Sequence, residues 1–140
     1  MSKTTRKRAV VLSLAMLIIS LLTPAAAFAS SYNSTFNFFS TLTGAGRSYS
    51  HNNMNISMTA KTVARLTNAP ATKAYTVTLQ RSNLLGWTRI GSVSCSANRT
   101  GIAGSGRWTN VNSGTYRFYF STSEPWNNDI ISNNVVMYCN

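Results

Sequence analysis

Carboxylates are nearly missing from this 140-residue chain: two, against thirteen lysines and arginines and a single histidine. That scarcity removes most catalytic chemistry. A pair of acids flanking a glycosidic bond would have to be Glu124 and Asp129. Glu124, however, sits before Pro125-Trp126 in a turn-rich stretch, and Asp129 opens an apolar run. A serine triad would need His51 with one of those acids, and no Gly-x-Ser-x-Gly elbow is present. Acid–base cleavage of RNA by His51, Glu124 and an arginine draws on the same thin set. One histidine without His-x-His spacing makes no metal site. No catalytic, cofactor or metal residues are therefore expected. Internal repeats, domain linkers, long low-complexity tracts and convincing helical periodicity are missing too.

What is present begins with an export signal. Lys3, Arg6, Lys7 and Arg8 precede an apolar run over 9–22, and Ala25-Ala26-Ala27-Phe28-Ala29 follows Pro24. A positive start, a short apolar centre and small residues at its end predict a secretory signal peptide over 1–29, cleaved before Ser30. The run is short for a membrane span of about 20 residues, and no later stretch is long enough to cross a bilayer. The expected exported chain, 30–140, suits one domain. Four of the thirteen basic residues lie in the leader, so nine remain against two acids, a net charge of +7.

Both cysteines, Cys95 and Cys139, fall in the exported part. Outside the cytoplasm, a disulfide between them is expected, which would contribute about 4 kcal/mol in the chain-entropy model.

The strongest local signal is Ser113-Gly114-Thr115-Tyr116-Arg117-Phe118-Tyr119-Phe120. Tyr116, Phe118 and Phe120 share one side of a strand, with Thr115, Arg117 and Tyr119 on the other, and the alternation predicts a central strand with one face on the core. Similar alternation predicts strands over 34–42, 54–66, 75–80, 87–95 and 130–139, with a short edge strand at Arg107-Trp108-Thr109. Gly91 is expected to mark a bulge, Ser82-Asn83-Leu84-Leu85-Gly86 a hairpin turn, and the glycine-rich 97–106 an irregular stretch. Six or seven short strands without helices predict an all-β fold, an antiparallel β-sandwich of Ig-like or Greek-key type stapled by the disulfide. The Ser-Gly-Thr-Tyr step resembles the corner tyrosine of Ig-like sandwiches.

Seven arginines and two lysines remain in the exported part, and so few acids oppose them that its surface potential is expected to be positive. The partners implied are anionic: an envelope polymer, an acidic lipid, a glycan or an acidic protein. Export and the lack of a nucleic-acid module disfavour nucleic acid. Exposed aromatics offer a second handle, since sugar rings stack on them. Trp126, Tyr119, Arg117 and Arg107 are the expected binding residues, whereas Trp87 and Trp108 fit core or edge positions. Three Asn-x-Ser/Thr matches begin at Asn33, Asn55 and Asn98. The function expected is a secreted, cationic, non-enzymatic binding protein acting on an anionic target, bacteriocin-like in one version. The alternatives are a carbohydrate-binding module, a secreted enzyme inhibitor and a small hydrolase.

Overall fold

The computed structural model describes residues 31–50, 52–124 and 127–140. The expected leader, His51 and Trp126 lie outside them. Nine strands follow in order: β1 Ser31–Phe38, β2 Thr41–Thr43, β3 Arg47–Tyr49, β4 Met54–Ala64, β5 Thr72–Asn83, β6 Gly86–Asn98, β7 Ile102–Trp108, β8 Gly114–Ser121 and β9 Asn128–Cys139. Among the described residues no helix is long and apolar enough to cross a membrane.

The pairing builds two layers. In one, β1 pairs with β9, β9 with β4, and β4 with β7. In the other, β6 pairs with β5 and β5 with β8, while β2 and β3 divide the far edge of β8 between them. All these ladders are antiparallel. A single parallel bridge, Lys61 to Asn98, joins the layers where β6 turns into β7. The expected all-β sandwich is therefore present, with nine strands rather than six or seven.

The extra strands have a physical explanation. Residues between the first two expected strands contribute β3, and the first expected strand breaks at Phe39-Ser40 into β1 and β2. The glycine-rich segment read as irregular contains most of β7. Its glycines let an edge strand lie close against large side chains. A Cβ on Gly106 would stand 2.6 Å from the Trp108 ring, and one on Gly104 would stand 3.2 Å from the Tyr75 hydroxyl. Glycine weakens a strand in isolation, but here it permits the close approach.

Aromatic rings fill the space between the layers. Phe36 of β1 lies 5.0 Å from Phe120 of β8, Phe38 lies 6.1 Å from Tyr75, and Trp108 lies 5.8 Å from Phe118. Tyr116, Phe118 and Phe120 are all buried, as the alternation predicts, and β8 is flanked on both edges. The expected corner tyrosine is also there: the Tyr116 hydroxyl donates to the Asn112 carbonyl, four residues upstream. The alternation of β4 ends sooner than expected, since Ala64 and Leu66 are exposed. Two of the glycosylation matches are engaged: Asn55 is buried and donates to Asn140, and Asn98 Oδ1 accepts from the Thr100 and Gly101 amides.

The expected disulfide is corrected. Cys95 and Cys139 are both buried and are not bonded to each other. Cys139 stands opposite Met54, which faces Trp108 across β4, whereas Cys95 packs on Gly104, opposite Met58. Four residues of β4 separate those positions, roughly 13 Å along a strand. A disulfide needs Cα atoms about 4.4–6.8 Å apart. Thiol reagents should therefore leave the native protein untouched and label two cysteines after denaturation, and reductant should not move the melting temperature. A melting point lowered by reductant would contradict the separation of the two thiols.

Lys73 belongs to the core as well, although its charge suggested a surface position. It is 2% exposed, and its ammonium donates to the carbonyls of Asn128 (2.8 Å) and Phe39 (3.3 Å), tying β5 to β9 and to the β1–β2 turn. Burial lowers its pKa, with Asp129 opposing the shift. Burial also raises the pKa of Tyr49, Tyr75 and Tyr116 above the ordinary 10.0. Because the folded pKa exceeds the unfolded one, the stability these hydroxyls contribute is complete below pH 10 and declines above it. Lys73 acts with the opposite sign below pH 10.5, one group against three. Equilibrium unfolding should show stability falling above about pH 10, with the three tyrosines ionising as the fold opens. Ionisation of these three tyrosines with the fold intact would contradict this.

Candidate functional site

The outer face of the β6–β5–β8 layer carries a regular grid. Across it, Ser92, Thr78, Tyr119 and Thr43 form one row, and Arg89, Gln80 and Arg117 the next. The row of hydroxyls is internally bonded, Thr78 to Ser92 at 2.7 Å, and nearby Ser48 meets Thr115 at 3.3 Å. No carboxylate stands on these strands.

One irregularity shapes the face. Leu79 pairs with Gly91 but Gln80 with Arg89, so Ile90 is an extra residue in β6. This is the bulge expected at Gly91, and bulges bend a strand and sharpen its twist. Trp87 starts opposite Ser82 on β6, two strand spacings, roughly 10 Å, from β8 in a flat sheet. Its ring nevertheless lies 4.3 Å from the Arg117 guanidinium carbon, and its far edge would stand 2.8 Å from a Cβ on Gly46. The Trp87 indole thus reaches across β5 to Arg117 of β8, and Gly46 leaves room for it. The face carries an aromatic ring laid against its arginine.

Arg117 is held from two sides. Trp87 covers its plane, a cation–π contact worth roughly 0.5–1 kcal/mol where exposed, and its Nε–H donates to Gln80 Oε1 at 2.7 Å. Among the described residues no acceptor takes either Nη group, so a paired set of donors is left for a ligand. A fixed guanidinium of this kind matches a carboxylate or sulfate through two parallel hydrogen bonds.

Two of the four expected binding residues, Tyr119 and Arg117, meet on this face. Arg107 does not: it lies on β7, opposite Asn55, in the other layer. Trp126 lies outside the described residues. Trp87 and Gln80 were missed. Trp87 shares its parity with Val93 and Cys95, which face inward, but the extra residue at Ile90 reverses the phase and turns Trp87 and Arg89 outward. Trp108 is a core residue, as expected. Of the acids, Asp129 pairs with Arg65 at 3.6 Å and Glu124 is exposed on a loop. Among the described residues no three His, Cys, Asp or Glu side chains cluster to hold a metal.

No family model matches the chain, and no curated protein matches it in sequence. Solved structures of carbohydrate-binding modules are similar to it in the course of the chain. One, described as "CBM4 structure and function", has 14% identity and a TM-score of 0.48, covering 79% of this chain; this chain spans 63% of that one. The CBM22-1 xylan-binding domain from Paenibacillus barcinonensis Xyn10C has 9% identity and a TM-score of 0.48, covering 79% and 83%. A module from Cellvibrio mixtus lichenase 5A, solved with cellotriose, has 10% identity and a TM-score of 0.45, covering 82% and 91%.

Proposed function

We propose that this chain is a non-enzymatic binding module for an acidic glycan outside the cell, exported by its 1–29 leader and engaging the glycan on the outer face of β6–β5–β8. The observation that carries this is the Trp87 indole laid against a guanidinium whose Nε is fixed by Gln80, beside Tyr119 and a bonded row of hydroxyls. Sugar rings present flat C–H faces to aromatic rings and hydroxyls to amides. Carboxylate or sulfate groups on the same sugars would take the free Nη donors of Arg117, with Arg89 close by. The general excess of basic residues brings an anionic polymer to the surface. An envelope polymer of that chemistry falls within this proposal, and a bacteriocin-like use of it would require the same contact.

The aromatic pair and the hydroxyl row also favour a second reading, binding of a neutral glycan by stacking alone. Affinity electrophoresis in gels containing neutral or carboxylated polysaccharides separates the two. Retardation by the acidic polymers, weakening as salt is raised, is the expected result. Salt-independent retardation by neutral polymers alone would select the second reading. No retardation by any polysaccharide would contradict both.

A further inference from the structure

The β5–β6 hairpin ends in a two-residue turn, since Asn83 pairs with Gly86. The two residues at its apex are Leu84 and Leu85, with relative exposures of 104% and 100%. Hairpin turns of this length favour glycine, asparagine or aspartate, so turn chemistry gives no reason for two leucines. Burial gives none either. Gly86, at φ 132°, closes the turn and needs no side chain there.

The flanks are basic and polar. Arg81 and Arg89 stand three and four residues behind the apex, roughly 10–13 Å along the strands, and no carboxylate occurs anywhere in 72–98. One of the two apex backbone amides is already satisfied. The Leu85 N–H donates to Asn83 Oδ1 at 2.9 Å, and the Asn83 side-chain amide donates to Thr88 Oγ1. An amide left without an acceptor would oppose transfer into hydrocarbon.

We infer that this tip inserts into the surface of an anionic lipid bilayer, the leucines entering the acyl boundary while the arginines remain among the phosphates. A depth of about 5–10 Å is usual for interfacial insertion, and the arginines sit just behind it. Basic residues at that level are attracted to acidic headgroups. A protein partner fits less well, because stable interfaces need about 800 Å² on each side, and here the apolar surface is two leucines with the partly exposed Ile90 behind Leu84, among Arg81, Ser82, Asn83 and Thr88. The two readings share Arg89, but Leu84 and Leu85 are not among the residues of the glycan face, so the insertion does not rest on that reading.

Flotation with phosphatidylcholine vesicles, with and without phosphatidylglycerol, tests this on the exported form of the chain, its N-terminus read by mass spectrometry. The protein should float with the anionic vesicles. Leu84→Asn with Leu85→Asn should lower that partition by about tenfold or more for each leucine, with circular dichroism and behaviour in polysaccharide gels unchanged. Equal flotation of the double variant would reduce the contact to charge alone and overturn the insertion. So would failure of the parent protein to float with either vesicle, or capture of the tip by a protein partner without any flotation.

Discussion

Phe118→Ala should lower the stability of the fold by roughly 3–5 kcal/mol, the range for removing a large aromatic side chain from a packed core. Phe118 is 2% exposed, and its ring meets Trp108 across the layers. It sits in the middle of β8, which is paired on one edge to β5 and on the other to β2 and β3. A cavity at that position is hemmed in by sheet on both sides and has little room to collapse. The neighbouring Arg117→Ala provides the contrast. It loses the contacts to Trp87 and Gln80 on the wet face, and should cost roughly 1 kcal/mol. Urea unfolding of the two variants measures the difference directly. Equal losses would mean that β8 does not separate a core face from a functional one.

The same two faces separate stability from binding. Trp87→Ala should weaken binding to an acidic glycan by about 30-fold or more, corresponding to about 2 kcal/mol for an aromatic anchor at the centre of an interface. Two losses combine in that figure. The stacking surface disappears, and Arg117 loses the ring that holds its guanidinium flat against the sheet. Arg117→Ala should weaken the same binding and flatten its dependence on salt, because the paired donors go with the side chain. Titration calorimetry over a salt series reads both effects. A Trp87→Ala protein that binds like the parent would remove the indole from the site.

The fold was largely legible because alternation survives wherever one face is buried. β8 follows it residue by residue, β4 follows it from Ile56 to Ala60, and the Ser-Gly-Thr-Tyr step foretold the Tyr116 corner. Legibility failed where contacts between distant residues decide the outcome. Glycines at 104 and 106 look like loop residues until Tyr75, Trp108 and Val93 are placed beside them. Cysteine count and compartment suggested a disulfide, but register along β4 keeps the two thiols apart. At the candidate face the sequence picked out Tyr119 and Arg117 and passed over Trp87, although it had marked the bulge at Gly91. A bulge reverses the facing of every residue before it, so the expected bulge already implied that Trp87 and Val93 point in opposite directions. Gln80 carries no local signal, and its part is visible only in the pairing of β5 with β8.

The most direct test places a bound ligand on one layer or the other. Backbone and side-chain amide NMR shifts should be followed while the shortest carboxylated oligosaccharide that binds is titrated in. Changes should concentrate at the Trp87 indole N–H, the Gln80 amide, the Arg117 Nε–H and the backbone of Thr78, Ser92 and Tyr119. Changes centred instead on Ser57, Thr59, Ser105 and Asn134, on the outer side of the β9–β4–β7 layer, would contradict the proposed site.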